Sequence, residues 1–300
     1  MHRESAVTHS RDFAAVLAAA VLWGGGGVLG ALLVEQSLMH PFSVAMWRML
    51  VGGFGLLAWL VVTRRLSVRS YSRQAWTRIV VTGALTAIFE AFYFLAVSQA
   101  SVGLVTLIAI GSAPIMTVVY TTMVRREFPG LRIVGALALA LAGVVLLVSG
   151  SLELGPGAFA GALLALVPGA AFAAITVVNA GHIDGLSPAP QTALAFAGGG
   201  LLLVPVALIP GVAFPIGVTG WALTLVLGLA VTALAYVLYL TGMRSVTPST
   251  ATLVTLVEPL VAACLGWLIL SERLGWGGIA GGVMLGIAVI LVRPRRDAQR

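Results

Sequence analysis

Apolar residues run along the chain in ten long blocks that short polar joints separate. The blocks span residues 13–34, 42–63, 76–97, 102–124, 131–149, 157–179, 190–210, 218–241, 249–270 and 275–292. Each block is close to the roughly 20 residues that an α-helix needs to cross the hydrocarbon core of a bilayer. The joints carry helix breakers such as His40-Pro41 and Thr247-Pro248, and none is long enough to hold a soluble domain. The pattern predicts an all-α integral membrane protein with ten transmembrane helices, numbered 1 to 10 in chain order. The first block lacks a signal-peptide cleavage pattern, so we expect it to be retained as helix 1.

Composition supports this class and excludes others. Hydrophobic residues make up 60% of the chain and charged residues only 9%, whereas soluble domains carry about 25% charged residues. The bilayer is therefore the expected partner of most of the surface. The net charge of +7 does not indicate nucleic-acid binding, because the arginines form short clusters between apolar blocks. A single cysteine, Cys264, excludes a disulfide framework.

The arginine clusters predict the orientation of the bundle, because cytoplasmic joints of membrane proteins carry an excess of basic residues. With both termini inside, residues 1–12 and 293–300 are cytoplasmic tails, and only Arg273 lies in an outside joint. The inside residues are then Arg3, Arg11, Arg64, Arg65, Arg69, Arg73, Arg78, Arg125, Arg126, Arg132, Arg244, Arg293, Arg295, Arg296 and Arg300. The reverse orientation would place nearly all of them on the wrong side.

The two halves of the chain, residues 13–149 and 157–292, repeat one pattern. Pro114, Glu127 and Gly130 match Pro259, Glu272 and Gly275 at a single sequence offset without a gap. Each half holds five helices, and an odd number makes the second half enter the membrane from the opposite side. Inverted repeats of this kind are typical of secondary transporters, whose substrate site lies near the midplane between the repeats.

Pro114 and Pro259 lie at matching mid-span positions of helices 4 and 9. Each proline lacks the amide hydrogen that a helical carbonyl four residues earlier would accept. Lipid cannot satisfy such a carbonyl, so both helix breaks should face protein or a water-filled cavity. The alternative is that both prolines are packing kinks without a further role.

Four short motifs then occur in an order that is typical of one family. They are Leu22-Trp23 with the glycines to Gly27, the arginine in "MWRMLVGG", Glu258-Pro259, and "SERLGW" at 271–276. On these motifs, residues 13–292 resemble the EamA-type, ten-helix branch of the drug/metabolite transporter superfamily. The resemblance implies a bacterial inner-membrane carrier with a 5+5 inverted repeat, often an exporter of amino acids or related metabolites. The chain departs from the small multidrug members, whose first helix contains a carboxylate, because here the first acidic residue of helix 1 is Glu35 at its outer end. No proton-coupling role is carried over to helix 1.

Three charged residues lie inside apolar blocks: Arg48, Glu90 and Glu258. Such residues are costly in a bilayer and usually have a partner or a function. Arg48 and Glu90 each lie about two turns from the outer ends of consecutive helices, so we predict that they form an ion pair. The pair is either a structural link or a functional group, as an outer gate or a contact for a substrate carboxylate. Glu258, near the middle of helix 9, has no arginine close to it in sequence. It is either a neutral acid that donates to a carbonyl freed near Pro114, or a proton site or contact for a substrate ammonium.

Polar and aromatic residues recur at helical spacing in helices 3, 4, 6, 8 and 9, including Phe172, Thr176 and Tyr236. We expect helices 1, 3, 4, 6, 8 and 9 to enclose a central cavity, with helices 5 and 10 outside it. An aromatic residue in these stripes can instead serve as packing or as an interfacial anchor. The predicted substrate-binding residues are Trp23, Tyr93, Thr106, Asn179, Tyr239 and Thr252, with Glu258 close by.

Aromatic faces and a few polar groups suit an amino acid with an apolar or aromatic side chain. We therefore predict a secondary transporter that exports small neutral or zwitterionic metabolites by alternating access. A channel-like or uniporter pathway and an intramembrane enzyme are the alternatives. No catalytic set is recognised, because the histidines lie in tails and joints, and no metal or cofactor is expected.

Helix 10 carries glycines at every fourth position, Gly278, Gly282 and Gly286. This pattern allows close helix packing, and helix 10 has no polar stripe. We expect it to pack within a monomer, and the alternative is a dimer through this helix.

Overall fold

The computed structural model describes residues 2–68, 71–126, 128–149, 155–269 and 275–293, in which every regular element is helical. Within these ranges the side chains of residues 2–8, 31, 35, 125 and 269 are not described. The predicted match of Glu127 with Glu272 and the arginines 69, 273, 295, 296 and 300 lie outside the described residues. The same holds for the side chains of Arg3, Glu35 and Arg125.

Ten helical segments follow one another with short joints. They are α1 (His2–Ser37), α2 (Pro41–Val62), α3 (Arg73–Val97), α4 (Val102–Arg125), α5 (Leu131–Val148), α6 (Ala158–Val178), α7 (Pro188–Leu208), α8 (Gly217–Gly242), α9 and α10 (Trp276–Val292). The segment α9 consists of two pieces, Pro248–Thr255 and Val257–Ile269, with Leu256 between them.

The segments α1 to α9 contain stretches long and apolar enough to cross a membrane, and α10 is an apolar helix of 17 residues. At about 1.5 Å per residue, α10 spans roughly 26 Å, close to the thickness of the hydrocarbon core. The structure thus fits the predicted all-α, multi-pass architecture. Each observed helix coincides with one apolar block, and the bounds differ by a few residues except at the long start of α1.

Helix starts follow from local capping chemistry. Ser72 and Ser101 accept hydrogen bonds from the amides of Ala75 and Leu104, at 3.2 and 3.4 Å, and so cap α3 and α4. Prolines occupy the first helical position of α2, α7 and α9, where the missing amide hydrogen has no helical acceptor to lose. The breakers in the joints therefore set the helix boundaries.

Contacts between the two halves come in matched sets. The helix α2 packs on α7, and α5 packs on α10. The helix α1 packs on α8 and α9, as α6 packs on α3 and α4. Exchanging each helix for its counterpart in the other half leaves this list unchanged, which is the arrangement that two halves related by a two-fold axis produce. The buried core runs along the junction of the halves and includes Met49, Phe196 and Tyr239.

The contact between α5 and α10 includes a pair of glycines, Gly143 and Gly281, and Gly281 is not one of the three predicted glycines. An added Cβ at Gly143 would lie 2.8 Å from the carbonyl oxygen of Gly281, so neither position has room for a side chain. Of the predicted glycines, Gly282 faces the side chain of Leu260 in α9, and Gly286 has open space around it. Gly281 therefore allows a close approach of α10 to α5 of the same chain.

The described arginine side chains, apart from Arg48, lie at one end of the bundle, called the basic end here. There Arg78 at the start of α3 donates to the carbonyls of Ala180 and Gly181 after α6. At the same end, Arg132 of α5 donates to the carbonyl of Arg293 at 2.7 Å. At the opposite end, the Trp47 indole donates to the carbonyl of Ala213 at 3.0 Å. The separation of charge matches the predicted inside face, and the orientation in the membrane stays a prediction.

Candidate functional site

A cavity of about 500 Å³ lies between the two halves, within the size range of small-molecule sites. Its wall contains residues from α1, α2, α3, α4, α6, α8 and α9; among the described residues none comes from α5, α7 or α10. The lining residues are Trp23, Gly26, Gly27, Gly30, Val34, Pro41, Val44, Arg48, Phe89, Glu90, Tyr93, Phe94, Val97, Val102, Ala109, Ile110, Phe172, Leu227, Val231, Tyr236, Thr255 and Glu258. The participation of α2 is a correction, because the sequence predicted a cavity enclosed without it.

The cavity extends toward the end of the bundle opposite the basic end. Its lining includes Val34, Pro41, Val97 and Val102 at the helix ends of that side, and Val102 is 57% exposed. Its deepest part lies against Trp23 and neighbouring rings near the middle of the helices. The described conformation is thus open at the end opposite the arginines.

The three intramembrane charges line this one cavity. Arg48 Nη1 lies 3.3 Å from Glu90 Oε1, so the predicted ion pair is present. Arg48 Nε also donates to Thr232 Oγ1 at 3.1 Å. Thr232 in turn donates to the carbonyl of Leu227 at 2.8 Å, inside the π-helical stretch Leu227–Leu234 of α8. The guanidinium is therefore held by α3 on one side and by an irregular turn of α8 on the other.

Glu258 lies in the first turn of the second piece of α9, directly after the interruption at Leu256. Pro259 has no amide hydrogen, so the carbonyl of Thr255, four residues earlier, lacks its regular helical donor. The helix α4 is continuous through Pro114, whose matching carbonyl belongs to Ile110. Both Thr255 and Ile110 line the cavity, so the two proline positions place their weakened helix turns beside it.

The glycine run brings the backbone of α1 close to the backbone of α9 at Glu258. A Cβ added at Gly24 would lie 2.8 Å from the carbonyl oxygen of Glu258, and one at Gly26 would lie 2.8 Å from Val231 of α8. Because these positions lack side chains, α1 approaches α8 and α9 closely. The sequence predicted a close helix approach at this run, and the structure identifies the neighbours.

Aromatic rings form the floor of the cavity. The Trp23 ring packs on Phe172, Tyr236 and Tyr239, with centroid distances of 5.7, 5.0 and 5.2 Å. Trp23 is only 7% exposed, and its indole Nε1–H has no hydrogen-bond acceptor in the described part of the chain. A buried N–H without an acceptor costs about 1–3 kcal/mol, so a ligand oxygen that reached this N–H after a shift of the surrounding rings would relieve that cost.

Of the predicted wall residues, Trp23 and Tyr93 lie in the cavity wall. Thr106 does not line it, because its hydroxyl lies 2.8 Å from the Tyr93 hydroxyl and supports that side chain from behind. Phe89 stacks on Tyr93 at 6.0 Å. The wall formed by α3 is therefore an aromatic surface that α4 braces through one hydroxyl.

The remaining three predicted wall residues lie between the cavity and the basic end, which corrects their predicted placement. Tyr239 is fully buried, and its hydroxyl lies 2.7 Å from Thr176 Oγ1. Asn179 donates to Thr82 at 3.0 Å and accepts a hydrogen bond from Gln191. Thr252 is buried and donates to the carbonyl of Pro248 at 3.1 Å. The bonds of Tyr239 and Asn179 link α3, α6, α7 and α8. Together with the buried Thr252 of α9, these residues form a layer between the cavity and the basic end, called the closed layer here.

The predicted site omitted most lining residues, among them Phe89, Phe172, Tyr236 and Thr255. Phe89 is adjacent to Glu90, and Thr255 is one turn beyond Thr252. Phe172 and Tyr236 belong to the aromatic stripes noted in the sequence but were not selected. Thr232, which supports Arg48 from behind, precedes Tyr236 by one helical turn, so the same periodicity would have pointed to it.

Comparison with known proteins agrees with this architecture. The model of the EamA-like transporter family matches residues 12–149 and again residues 159–293, one match for each half. A solved crystal structure superposes with a TM-score of 0.81 over 95% of this chain and 98% of its own, at 16% identity. At that identity the likeness concerns the fold alone.

Three transporters of nearly equal length are similar to this chain in sequence. The uncharacterized transporter YwfM of Bacillus subtilis is 33% identical over 94% of both chains. The uncharacterized inner membrane transporter YicL of Salmonella typhimurium is 27% identical over 92% of this chain and 93% of its own. An uncharacterized transporter of Archaeoglobus fulgidus is 25% identical over 92% and 95%. The family match in both halves, the apolar helices and these relatives indicate a multi-pass membrane transporter, and the chain belongs to the EamA-like transporter family.

Proposed function

We propose that this transporter is a secondary carrier that exports small neutral or zwitterionic metabolites, with amino acids bearing apolar or aromatic side chains as its substrates. The observation that carries the proposal is the cavity itself, in which Trp23 and three charged side chains share one aromatic-walled space, and the buried indole N–H of Trp23 has no acceptor among the described residues. Such a site offers separate contacts for a carboxylate oxygen, an ammonium group and an apolar side chain of the substrate.

The charges support a zwitterion over an anion. Arg48 is paired with Glu90, whereas Glu258 has no cationic side chain within ion-pair distance among the described residues. An ammonium group near Glu258 would be stabilised by the carboxylate and by the neighbouring aromatic faces. The substrate carboxylate would accept from the Trp23 N–H or from Arg48. Among the side chains that the structure describes, a polyanion would instead meet two carboxylates and one guanidinium.

The closed layer around Tyr239, Asn179 and Thr252 supports alternating access over a continuous channel. The cavity is open on one side of this layer and is separated from the basic end on the other. With the basic end in the cytoplasm of a bacterial inner membrane, the described conformation faces outward. Transport then requires the layer to open while the opposite end closes, which two inverted repeats can achieve by exchanging conformations.

Cysteine labelling tests the orientation directly. In a Cys264→Ala background, Ser98→Cys at the open end should react with a membrane-impermeant maleimide from the periplasmic side. Gln74→Cys, at the start of α3, should react only after the cytoplasmic side is exposed. Labelling of Gln74→Cys from the periplasm would refute the proposed orientation.

Solute counterflow in liposomes tests the function. Purified protein should exchange a preloaded amino acid such as leucine or phenylalanine against the labelled form, saturably, and should not exchange a dicarboxylate. Counterflow requires a carrier, so unsaturated flux without counterflow would favour a channel. If no amino acid in the panel exchanges while another class of solute does, the substrate assignment is wrong and the carrier assignment stands.

We also propose that Glu258 or Glu90 carries a transported proton, and a pH gradient in the same liposomes tests this role. A variant with glutamine at the coupling position should still exchange substrate but lose its response to the gradient. If both Glu90→Gln and Glu258→Gln keep full gradient-driven transport, neither residue carries the proton and a uniporter is favoured.

A further inference from the structure

A second concave site lies at the basic end, away from the transport cavity. It is a groove of about 640 Å³ lined by Arg73, Gln74, Thr77, Arg78, Val81 and Val178. The first four residues come from the start of α3, and Val178 ends α6. The groove thus combines two guanidinium groups and two uncharged polar side chains with an apolar floor.

Arg78 is fixed in this groove by the backbone of the neighbouring helix end. Its Nη1 and Nη2 atoms donate to the carbonyls of Gly181 and Ala180 at 3.0 and 3.3 Å. A guanidinium has five N–H donors, so three remain for a ligand after these two bonds. Because its orientation is already set, little side-chain entropy is lost when it binds a planar or tetrahedral oxyanion.

The positive charge of the groove is not neutralised by the protein. Neither Arg73 nor Arg78 has a carboxylate within ion-pair distance among the described residues, and the nearby Asp184 pairs with His182 at 3.4 Å. A groove with two unbalanced arginines attracts an anion. Its apolar floor in addition offers a surface to hydrocarbon that a free inorganic anion would not use.

The depth of the groove matches the level of lipid head groups. Trp76, on the same turns of α3, is 41% exposed and packs edge to face with Tyr71 at 5.8 Å. Tryptophan and tyrosine concentrate at the membrane–water interface. The polar residues of the groove lie at the start of α3, and Val81 lies one to two turns further into the apolar stretch.

We propose that this groove binds the head group of a negatively charged glycerophospholipid, with the phosphate between Arg73 and Arg78 and the first part of an acyl chain along Val81 and Val178. Basic pockets between transmembrane helices on the cytoplasmic side are suited to such lipids. The site is separate from the transport cavity and does not depend on the identity of the transported solute.

Native mass spectrometry of the purified full-length protein tests the proposal. The protein is mixed with equal amounts of phosphatidylglycerol and phosphatidylcholine that carry the same acyl chains. Wild-type protein should retain phosphatidylglycerol in preference. Arg73→Gln should lower that preference about fivefold, and adding Arg78→Gln should lower it about 25-fold, as expected for the contribution of each arginine near an anionic head group.

Arg244→Gln is the matched control, because it removes one exposed arginine from the same end of the bundle outside the groove. It should leave the preference unchanged, and Arg73→Lys should retain most of it. Arg78→Gln also removes the contacts to the end of α6. If the double variant does not fold, the lipid preference of the Arg73→Gln protein alone tests the proposal. An unchanged preference in Arg73→Gln, or an equal loss in Arg244→Gln, would overturn the proposal. Displacement of phosphatidylglycerol by excess inorganic phosphate would show a free-anion site instead.

Discussion

The indole N–H of Trp23 allows a test that separates substrate recognition from stability. Replacing Trp23 by phenylalanine keeps an aromatic ring at the cavity floor and removes the hydrogen-bond donor. In the absence of substrate this donor has no acceptor among the described residues, so its removal breaks no hydrogen bond. With substrate bound, the variant loses the hydrogen bond that we propose between the indole and a substrate oxygen.

The magnitudes follow from this difference. Losing one hydrogen bond to a buried donor should raise the dissociation constant of the substrate by a factor of about 5 to 150, equivalent to about 1–3 kcal/mol. The smaller ring leaves a space beside Phe172 and Tyr236, which lowers stability. Removing a buried N–H that has no acceptor raises the free energy of unfolding by about 1–3 kcal/mol, which offsets that loss. We therefore expect a clear loss of affinity with a small net change in melting temperature.

Trp47→Phe is the matched control. Its indole donates to the carbonyl of Ala213 at 3.0 Å, and Trp47 does not line the cavity. The control should lose about 1 kcal/mol of stability for the broken hydrogen bond and keep wild-type affinity. The dissociation constant is measured by calorimetry in nanodiscs with the best solute of the counterflow panel, and the melting temperature by fluorescence. Wild-type affinity in folded Trp23→Phe protein would refute the proposed donor role.

Two further substitutions test the ion pair and the helix packing. Reversing the pair, with Arg48→Glu and Glu90→Arg together, should restore part of the transport that either single reversal abolishes; flux in proteoliposomes measures this. Recovery should stay about fivefold or more below wild type, because a glutamate at position 48 cannot donate to Thr232. A double variant no better than the singles contradicts a pairing role. Gly281→Leu should sharply lower the yield of monodisperse protein in size-exclusion chromatography, because its neighbour is the backbone of α5. Gly286→Leu, with open space around it, should not, and equal yields would contradict the packing of α5 on α10.

The sequence predicted the helices well because the bilayer imposes a simple length requirement on each of them. An apolar block of about 20 residues has one stable form in lipid, so its ends can be read from composition and breakers alone. The Arg48–Glu90 pair was predictable for a related reason. Two costly charges at similar depth on consecutive helices need partners, and each is the nearest partner of the other.

The exact position of the cavity was not predictable, because it depends on the conformation and on helix rotation. Asn179 and Thr252 lie on helices that border the cavity, but at the depth of the closed layer. Phe172 and Thr255 occupy the corresponding lining positions. A carrier that alternates between two open states exposes different depths of the same helices in each state. Sequence periodicity identifies the helix face and not the state, so residues of the layer and of the wall look alike.

The matched proline positions differ in local structure between the two halves. Both prolines leave a carbonyl beside the cavity without its helical donor. The helix α4 continues through Pro114, whereas α9 is interrupted before Pro259. Only α9 carries a carboxylate next to its proline. Among the described side chains, the cavity therefore has one guanidinium and two carboxylates, and this guanidinium is already engaged by Glu90. If the cavity closes and loses water, an ionised Glu258 would need a second positive charge, because an unpaired ion in a dry site is strongly destabilised. A proton or a substrate ammonium can each provide that charge, and they cannot both do so at once. Under the proposed function, this competition is a physical basis for exchanging a proton for an amino acid across the membrane.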